Sequence, residues 1–226
     1  MLIPIRLKPP PITNTEANDA SGEAGPPNET EQTRAAPFSI YNSTGERKYL
    51  NSGETRLLLQ AAARTDIATH SFVRFIVETG CRISEALAMR MMQIDLDNGI
   101  AVVECLKKRR SGVFRTLPIS PELCTLIASH CNHGEKGRIW PWTRMTAWRK
   151  LHQLFDSCGL DGARATPRGL RHGFATAAVS AGVPLPVIQR WMGHSRATTT
   201  AIYVDAVGHE ARAFAKRLWR GMAERY

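Results

Sequence analysis

The sequence predicts a mainly α fold with a small antiparallel β-sheet, on three observations. Apolar residues recur at helical spacing in most windows beyond residue 50. Prolines and glycines punctuate those windows at helix starts and stops, among them Pro121, Pro167, Gly80, Gly182 and Gly193. One stretch alone, Ile100 to Ile119, reads as two strands around a basic turn.

Residues 1–45 hold seven of the thirteen prolines, including Pro9-Pro10-Pro11, among Thr, Asn, Glu, Ser and Gly. Such a segment has too little apolar surface to offset its ordering entropy, so residues 1–49 are expected to be a disordered tail or linker. Residues 50–226 are expected to form the working domain. Ser52 can cap a first helix through LLLQAAA, with Glu54 in its first turn. Phe72, Phe75 and Ile76 give a second helix from about Ala68 to Glu78, stopped by Gly80. Arg82 opens a third, continued by Ile83, Ala86, Leu87 and Arg90. An arginine after a glycine stop is by itself only a solvated helix end.

Asn98-Gly99 signals a turn. Strands follow over Ile100–Leu106 and Val113–Ile119, with Lys107, Lys108, Arg109 and Arg110 in the basic turn between them. Such a tip is shaped to enter a groove and touch phosphate. Pro121 starts a helix to about Cys131, and another runs from about Thr143 to Ser157. Trp140, Trp142 and Trp148 near it read as core or rim rather than as stacking platforms. Helices follow over Pro167–Ser180, from Pro184 or Pro186 to Gly193, and around Tyr203. A last one starts near His209, with Ala211, Phe214, Ala215, Leu218, Trp219 and Met222 on one stripe.

The formal net charge is +10 over 226 residues. Residues 1–45 hold three basic and five acidic residues, so a charge of +12 lies in the remainder. The periodic part is thus the basic part, which points to a polyanionic partner such as nucleic acid. Five cysteines without a CxxC argue for a reducing compartment, and with a nucleic-acid partner the expected location is cytoplasmic, at the nucleoid. His130-Cys131-x-His133 lacks a second ligand pair at zinc spacing, so no metal and no cofactor are expected. No run of 18 apolar residues occurs, and no membrane association is expected.

The chemistry concentrates between Ala165 and Ala206. Arg168 and Arg171 stand three apart, Gly193-His194 follows, and Tyr203 comes after it. Arginine holds phosphate bidentately and stays charged. A phenol can attack phosphorus if positive charge favours its phenolate. The set therefore suggests a site that grips a phosphodiester and attacks it with tyrosine.

Five segments carry a resemblance. They are TGCRISEAL (Thr79–Leu87), the basic hairpin ending in RTLPI, TPRGLRHGFAT (Thr166–Thr176), WMGHS (Trp191–Ser195) and TTTAIY (Thr198–Tyr203). In order and spacing they resemble the catalytic domain of tyrosine recombinases, the phage-integrase family, over roughly Leu50 to Ala206. The resemblance implies an integrase-type catalytic domain that cleaves and rejoins double-stranded DNA through a 3′-phosphotyrosyl link. Neither ATP nor metal would be needed. It makes Tyr203 the nucleophile, Arg82 and Arg171 the phosphate-binding arginines, and His194 a phosphate donor. Lys107 becomes the general acid, with Lys108 the alternative. Glu85 falls where an acidic residue buttresses the site. A homo-tetramer on DNA is implied, with C-terminal segments exchanged between protomers.

Two departures stand out. Where the family places histidine or lysine, this chain has Arg168, which cannot act as a base. His172 follows Arg171 where a histidine commonly only packs. Residues 1–49 are also too short and polar for the helical core-binding domain such enzymes carry, as in small single-domain recombinases. Rival readings are a type IB topoisomerase, a non-cleaving DNA-binding relative and a basic domain unrelated to nucleic acid.

Overall fold

A computed structural model of the chain describes residues 39–106, 112–131 and 137–204, together with residues 215, 216, 219, 220 and 222. Within them the fold is mainly helical with one three-stranded antiparallel sheet. Helix α1 (Ser52–Ala62) starts from Asn51 rather than Ser52. The Asn51 carboxamide accepts from the Glu54 N–H, and Glu54 returns the bond to the Asn51 N–H, both at 2.8 Å. This reciprocal cap satisfies two donors that the first turn leaves open.

Helix α2 (Ile67–Thr79) is the centre of the molecule. Asp66 caps it, and Phe72, Val73, Phe75 and Ile76 are wholly buried. Helices α1, α3 (Ile83–Ala88), α4 (Pro121–His130) and α6 (Pro167–Ser180) all pack on it. Trp140 closes the same core, set edge-on to Phe72, and its indole N–H donates to the Ser71 hydroxyl at 3.0 Å. Helix α5 (Arg144–Ser157) lies against α1 and α3.

Helix α3 is shorter than its periodicity predicts. Met89 turns extended, its carbonyl accepts from the Ile139 N–H, and Arg90 bridges to Arg138. A pairing fifty residues away thus ends a run that sequence spacing would continue.

The sheet joins β1 (Ile94–Asp95), β2 (Ile100–Glu104) and β3 (Phe114–Pro118) in that order. Ala101 pairs with Leu117 and Val103 with Arg115, and all four face inward. Residues 107–111, which hold the basic turn, lie outside the described residues.

The last part of the fold is α6, α7 (Leu185–Met192) and α8 (Thr198–Ala201). Helix α6 joins two cores. Its Leu170 enters the large one, and Ala175, Ala178 and Val179 enter a smaller one with Ile188, Met192 and Tyr203. Ile40 and Tyr49 belong to that smaller core. Packing therefore begins before Asn51, inside the span expected to be a tail. A bridge between Tyr41 and Arg47 and the Arg47–Glu54 ion pair hold the segment in place. Residues 1–38, most of the final helix and His133 lie outside the described residues. Of the final apolar stripe, Ala215, Trp219 and Met222 are described; Ala215 is half-buried and the other two are exposed. Among the described residues no helix is long and apolar enough to cross a membrane.

Candidate active site

Gly80 builds the first side of the site. It ends α2 at φ 58°, a left-handed turn that glycine adopts without cost. The chain then re-enters a helix two residues later, which puts Arg82 at the N-cap of α3. Arg82 Nη1 donates to Glu85 Oε1 at 2.7 Å, and the Arg82 N–H donates to Oε2 at 2.9 Å.

Glu85 is buried and also accepts from Arg115 Nη2 at 2.7 Å. Burial alone would raise the Glu85 pKa, but the bonds and charges of Arg115 and Arg82 outweigh it and hold the carboxyl below its ordinary range. Arg115 in turn donates through Nε to the Trp191 carbonyl at 2.7 Å and through Nη1 to Cys105 Sγ at 3.2 Å. Glu85 is therefore the hinge of a triad that ties α3, β3 and α7 together and orients Arg82. The sequence reading left Arg115 without a role. Its position in phase with Leu117, on the inward face of β3, is the signal that finds it.

Helix α6 supplies the second side. Arg168, Arg171 and His172 fall at i, i+3 and i+4 and so share one face. Arg171 is buried, and its two Nη groups donate to the carbonyls of Gly80, at 2.8 Å, and Met192. Burial, then repulsion from Arg82, lowers its pKa to about 10, which still leaves it charged at neutral pH. Gly193 ends α7 in a left-handed turn, after which His194 Nδ1 meets Thr200 Oγ1 at 3.0 Å. Burial, and after it the charges of Arg171 and Arg82, push the His194 pKa down to about 3, so the ring is neutral.

Tyr203 follows α8 and is 1% exposed. Its ring lies parallel to that of His194, with centroids 6.4 Å apart. Burial raises its pKa to about 12, against the opposing pull of Arg171, Arg168 and Arg82. Its hydroxyl meets His172 Nδ1 at 2.8 Å, and His172 Nε2 accepts from Arg168 Nε at 3.1 Å. His172 is the residue that sequence reasoning passed over.

The structure thus brings Arg82, Arg168, Arg171, His194 and Tyr203 together from three separate stretches. Lys107, Lys108, Arg109 and Arg110 lie outside the described residues. Among the described residues no three His, Cys, Asp or Glu side chains cluster as metal ligands. Chemically, the site offers a phenol in a field of guanidinium groups, with two neutral imidazoles beside it.

The profile of the phage integrase family matches residues 48–210. A tyrosine recombinase XerD of Corynebacterium glutamicum is 28% identical over 187 residues, covering 76% of this chain and 60% of that protein. The chain therefore spans about three-fifths of that relative's length. The crystal structure of a XerA recombinase superposes with a TM-score of 0.63 at 23% identity, over 75% of this chain and 64% of that one. The catalytic domain of bacteriophage HP1 integrase superposes with a TM-score of 0.57 at 22% identity, over 74% of this chain and 93% of that domain.

Proposed function

Because the chain belongs to the phage integrase family, we propose that it is a site-specific recombinase that cleaves and rejoins double-stranded DNA through Tyr203. The observation that carries the reading is the field around one phenol. Arg171, Arg168 and Arg82 all bear on Tyr203, the first two from α6 and the third from the N-cap of α3. Three cations around the tyrosine pull toward a phenolate and a phosphate next to it, against the burial that raises its pKa.

In the proposed step, Tyr203 Oη forms a bond to the scissile phosphorus and the bond from phosphorus to the 5′ oxygen breaks. The leaving oxygen takes a proton from Lys107 or Lys108. A 3′-phosphotyrosyl link and a free 5′ hydroxyl result. Attack by a 5′ hydroxyl reverses the chemistry and releases the phenol, so the link conserves the bond energy. Arg82 and Arg171 hold the non-bridging oxygens, and His194 donates to them. A homo-tetramer on DNA supplies two cleavable duplexes. The chain acts in the cytoplasm, at the nucleoid.

A second reading is a DNA-binding relative that does not cut. Two observations favour it. Tyr203 is almost fully buried, and both Nη groups of Arg171 already donate to backbone carbonyls. Cleavage therefore requires phosphate to reach the buried Tyr203 oxygen, and Arg171 to share or exchange its acceptors when phosphate arrives.

Trapping separates the readings. A pool of random-sequence duplexes carrying nicks that prevent religation is incubated with the full chain, denatured in detergent and searched for protein-linked DNA. The recombinase reading expects a covalent adduct whose peptide maps to Tyr203. Tyr203→Phe is expected to abolish it while retaining DNA affinity within about twofold, since one hydroxyl of a buried residue adds little to a mainly electrostatic interface. A gel shift without any adduct sinks cleavage and leaves the binding relative.

A further inference from the structure

Arg168 stands where a base would be useful and cannot be one. What it touches is His172, and what His172 touches is Tyr203. An arginine side chain has donors only. Its Nε–H at 3.1 Å therefore requires a lone pair on His172 Nε2. A neutral imidazole carries one proton, which must then sit on Nδ1. That nitrogen lies 2.8 Å from the Tyr203 oxygen, so His172 donates and the phenol oxygen accepts. A hydrogen bond donated to an oxygen stabilises it most when it is charged.

We propose that Arg168 and His172 form a relay that prepares Tyr203 for attack: Arg168 locks His172 in its Nδ1–H tautomer, and His172 donates to the oxygen that becomes the phenolate. The relay rests on the reading of Tyr203 as the nucleophile. It also settles the proton's route. His172 cannot accept the phenol proton, because Nδ1 already carries one and Nε2 faces an N–H. The proton leaves to water, and the phenolate Oη then forms the bond to phosphorus as the bond to the 5′ oxygen breaks. His172 is thus a catalytic residue of the donor kind, and Arg168 is its positioning residue.

The surroundings keep the relay in one state. Arg168 and Arg171 face His172 from α6, and Lys48 bears on it from the segment before α1. With burial, which contributes most, these charges lower the His172 pKa to about 4. The ring is therefore neutral at pH 7. Around the phenol the further charged groups are Arg82 and Arg171, with the neutral His194 ring alongside. None of these supplies a bond to Tyr203 Oη that could replace His172.

The test has two parts. Imidazole 15N chemical shifts of the full chain report the tautomer without any DNA. At pH 7 the expected spectrum shows His172 protonated at Nδ1 and bare at Nε2, and Arg168→Met is expected to move the proton to Nε2. A wild-type ring protonated at Nε2 overturns the proposal. Second, single-turnover adduct formation is followed against pH on a nicked duplex recovered by trapping. His172→Leu is expected to slow the reaction at neutral pH by about tenfold, the scale of one hydrogen bond to a charged oxygen. Its rising limb is expected to move to higher pH, so that the deficit narrows in alkali. His172→Asn, whose amide N–H can take the place of Nδ1–H, is expected to recover most of the rate. A His172→Leu limb at the wild-type position overturns the relay, as does an Asn variant as slow as Leu. If no adduct forms at Tyr203 at all, the nucleophile reading fails, and the 15N spectrum still decides the tautomer.

Discussion

Two neutral histidines sit beside Tyr203, and each carries a stability cost in acid. The pKa of His172 is lowered to about 4 and that of His194 to about 3, in both by burial first and by neighbouring arginines second. In the unfolded chain each titrates near 6.5. Below that value the unfolded state binds protons that the folded state refuses, so stability rises with pH across the window. It is fully present above about 6.5, and it falls as pH drops toward 4 for His172 and toward 3 for His194. Each pKa unit corresponds to about 1.4 kcal/mol, so the pair weakens the fold by on the order of a few kcal/mol. The urea midpoint is expected to drop between pH 7 and pH 5, and the drop is expected to shrink in His194→Asn. A flat midpoint over that interval would mean that the rings protonate in the fold. These residues also mark the limit of what the chain reveals. Arg82, Arg171, His194 and Tyr203 are legible because their spacing and neighbours are distinctive. His172 is not, because its partner lies 31 residues on, beyond a second helix.

At the scale of elements, local chemistry fixed most boundaries and non-local contacts moved the others. Helix α6 runs from Pro167 to Ser180 as its proline start and apolar period predict. Helix α1 starts one residue early because Asn51 and Glu54 make a better reciprocal cap than Ser52. The end of α3 and the buried place of Ile40 were not legible, since each depends on a partner far along the chain. The turn between α2 and α3 matters most for the site, because Gly80 both reverses the chain and accepts from Arg171. A Cβ at Gly80 would stand 2.3 Å from Phe174 Cδ1, whereas one at Gly159, also left-handed, meets nothing within 4 Å. Gly159→Ala is thus expected to show backbone strain alone, about 1 kcal/mol. Gly80→Ala is expected to cost about 2–3 kcal/mol, since Phe174 must also move. It should slow adduct formation as well, by disturbing the Arg171 clamp. Urea unfolding of both variants measures the difference, and equal losses would show that Phe174 yields freely.

For the whole molecule the governing quantity is charge. The excess of +12 lies beyond residue 45, in the part that also carries the fold and the site. The curated XerD relative is matched over only 60% of its length. The proposed partner, DNA, is a polyanion, so electrostatics is expected to supply much of the grip on it. Each phosphate neutralised releases counterions, so log affinity falls linearly with log salt, with a slope of about −0.9 per phosphate. Lys108, Arg109 and Arg110 fall between β2 and β3 in the sequence and lie outside the described residues. Their sequence setting nevertheless makes a definite expectation. Replacing all three with glutamine is expected to reduce the magnitude of the slope by about 3, one unit per lost phosphate contact. Affinity should fall for every duplex alike, because phosphate contacts carry no base information. Fluorescence anisotropy on a random-sequence duplex across a salt series measures both quantities. An unchanged slope would place the hairpin charges in solvent and leave phosphate binding to the arginines around Tyr203. A loss confined to some sequences would instead make the hairpin a reader of bases.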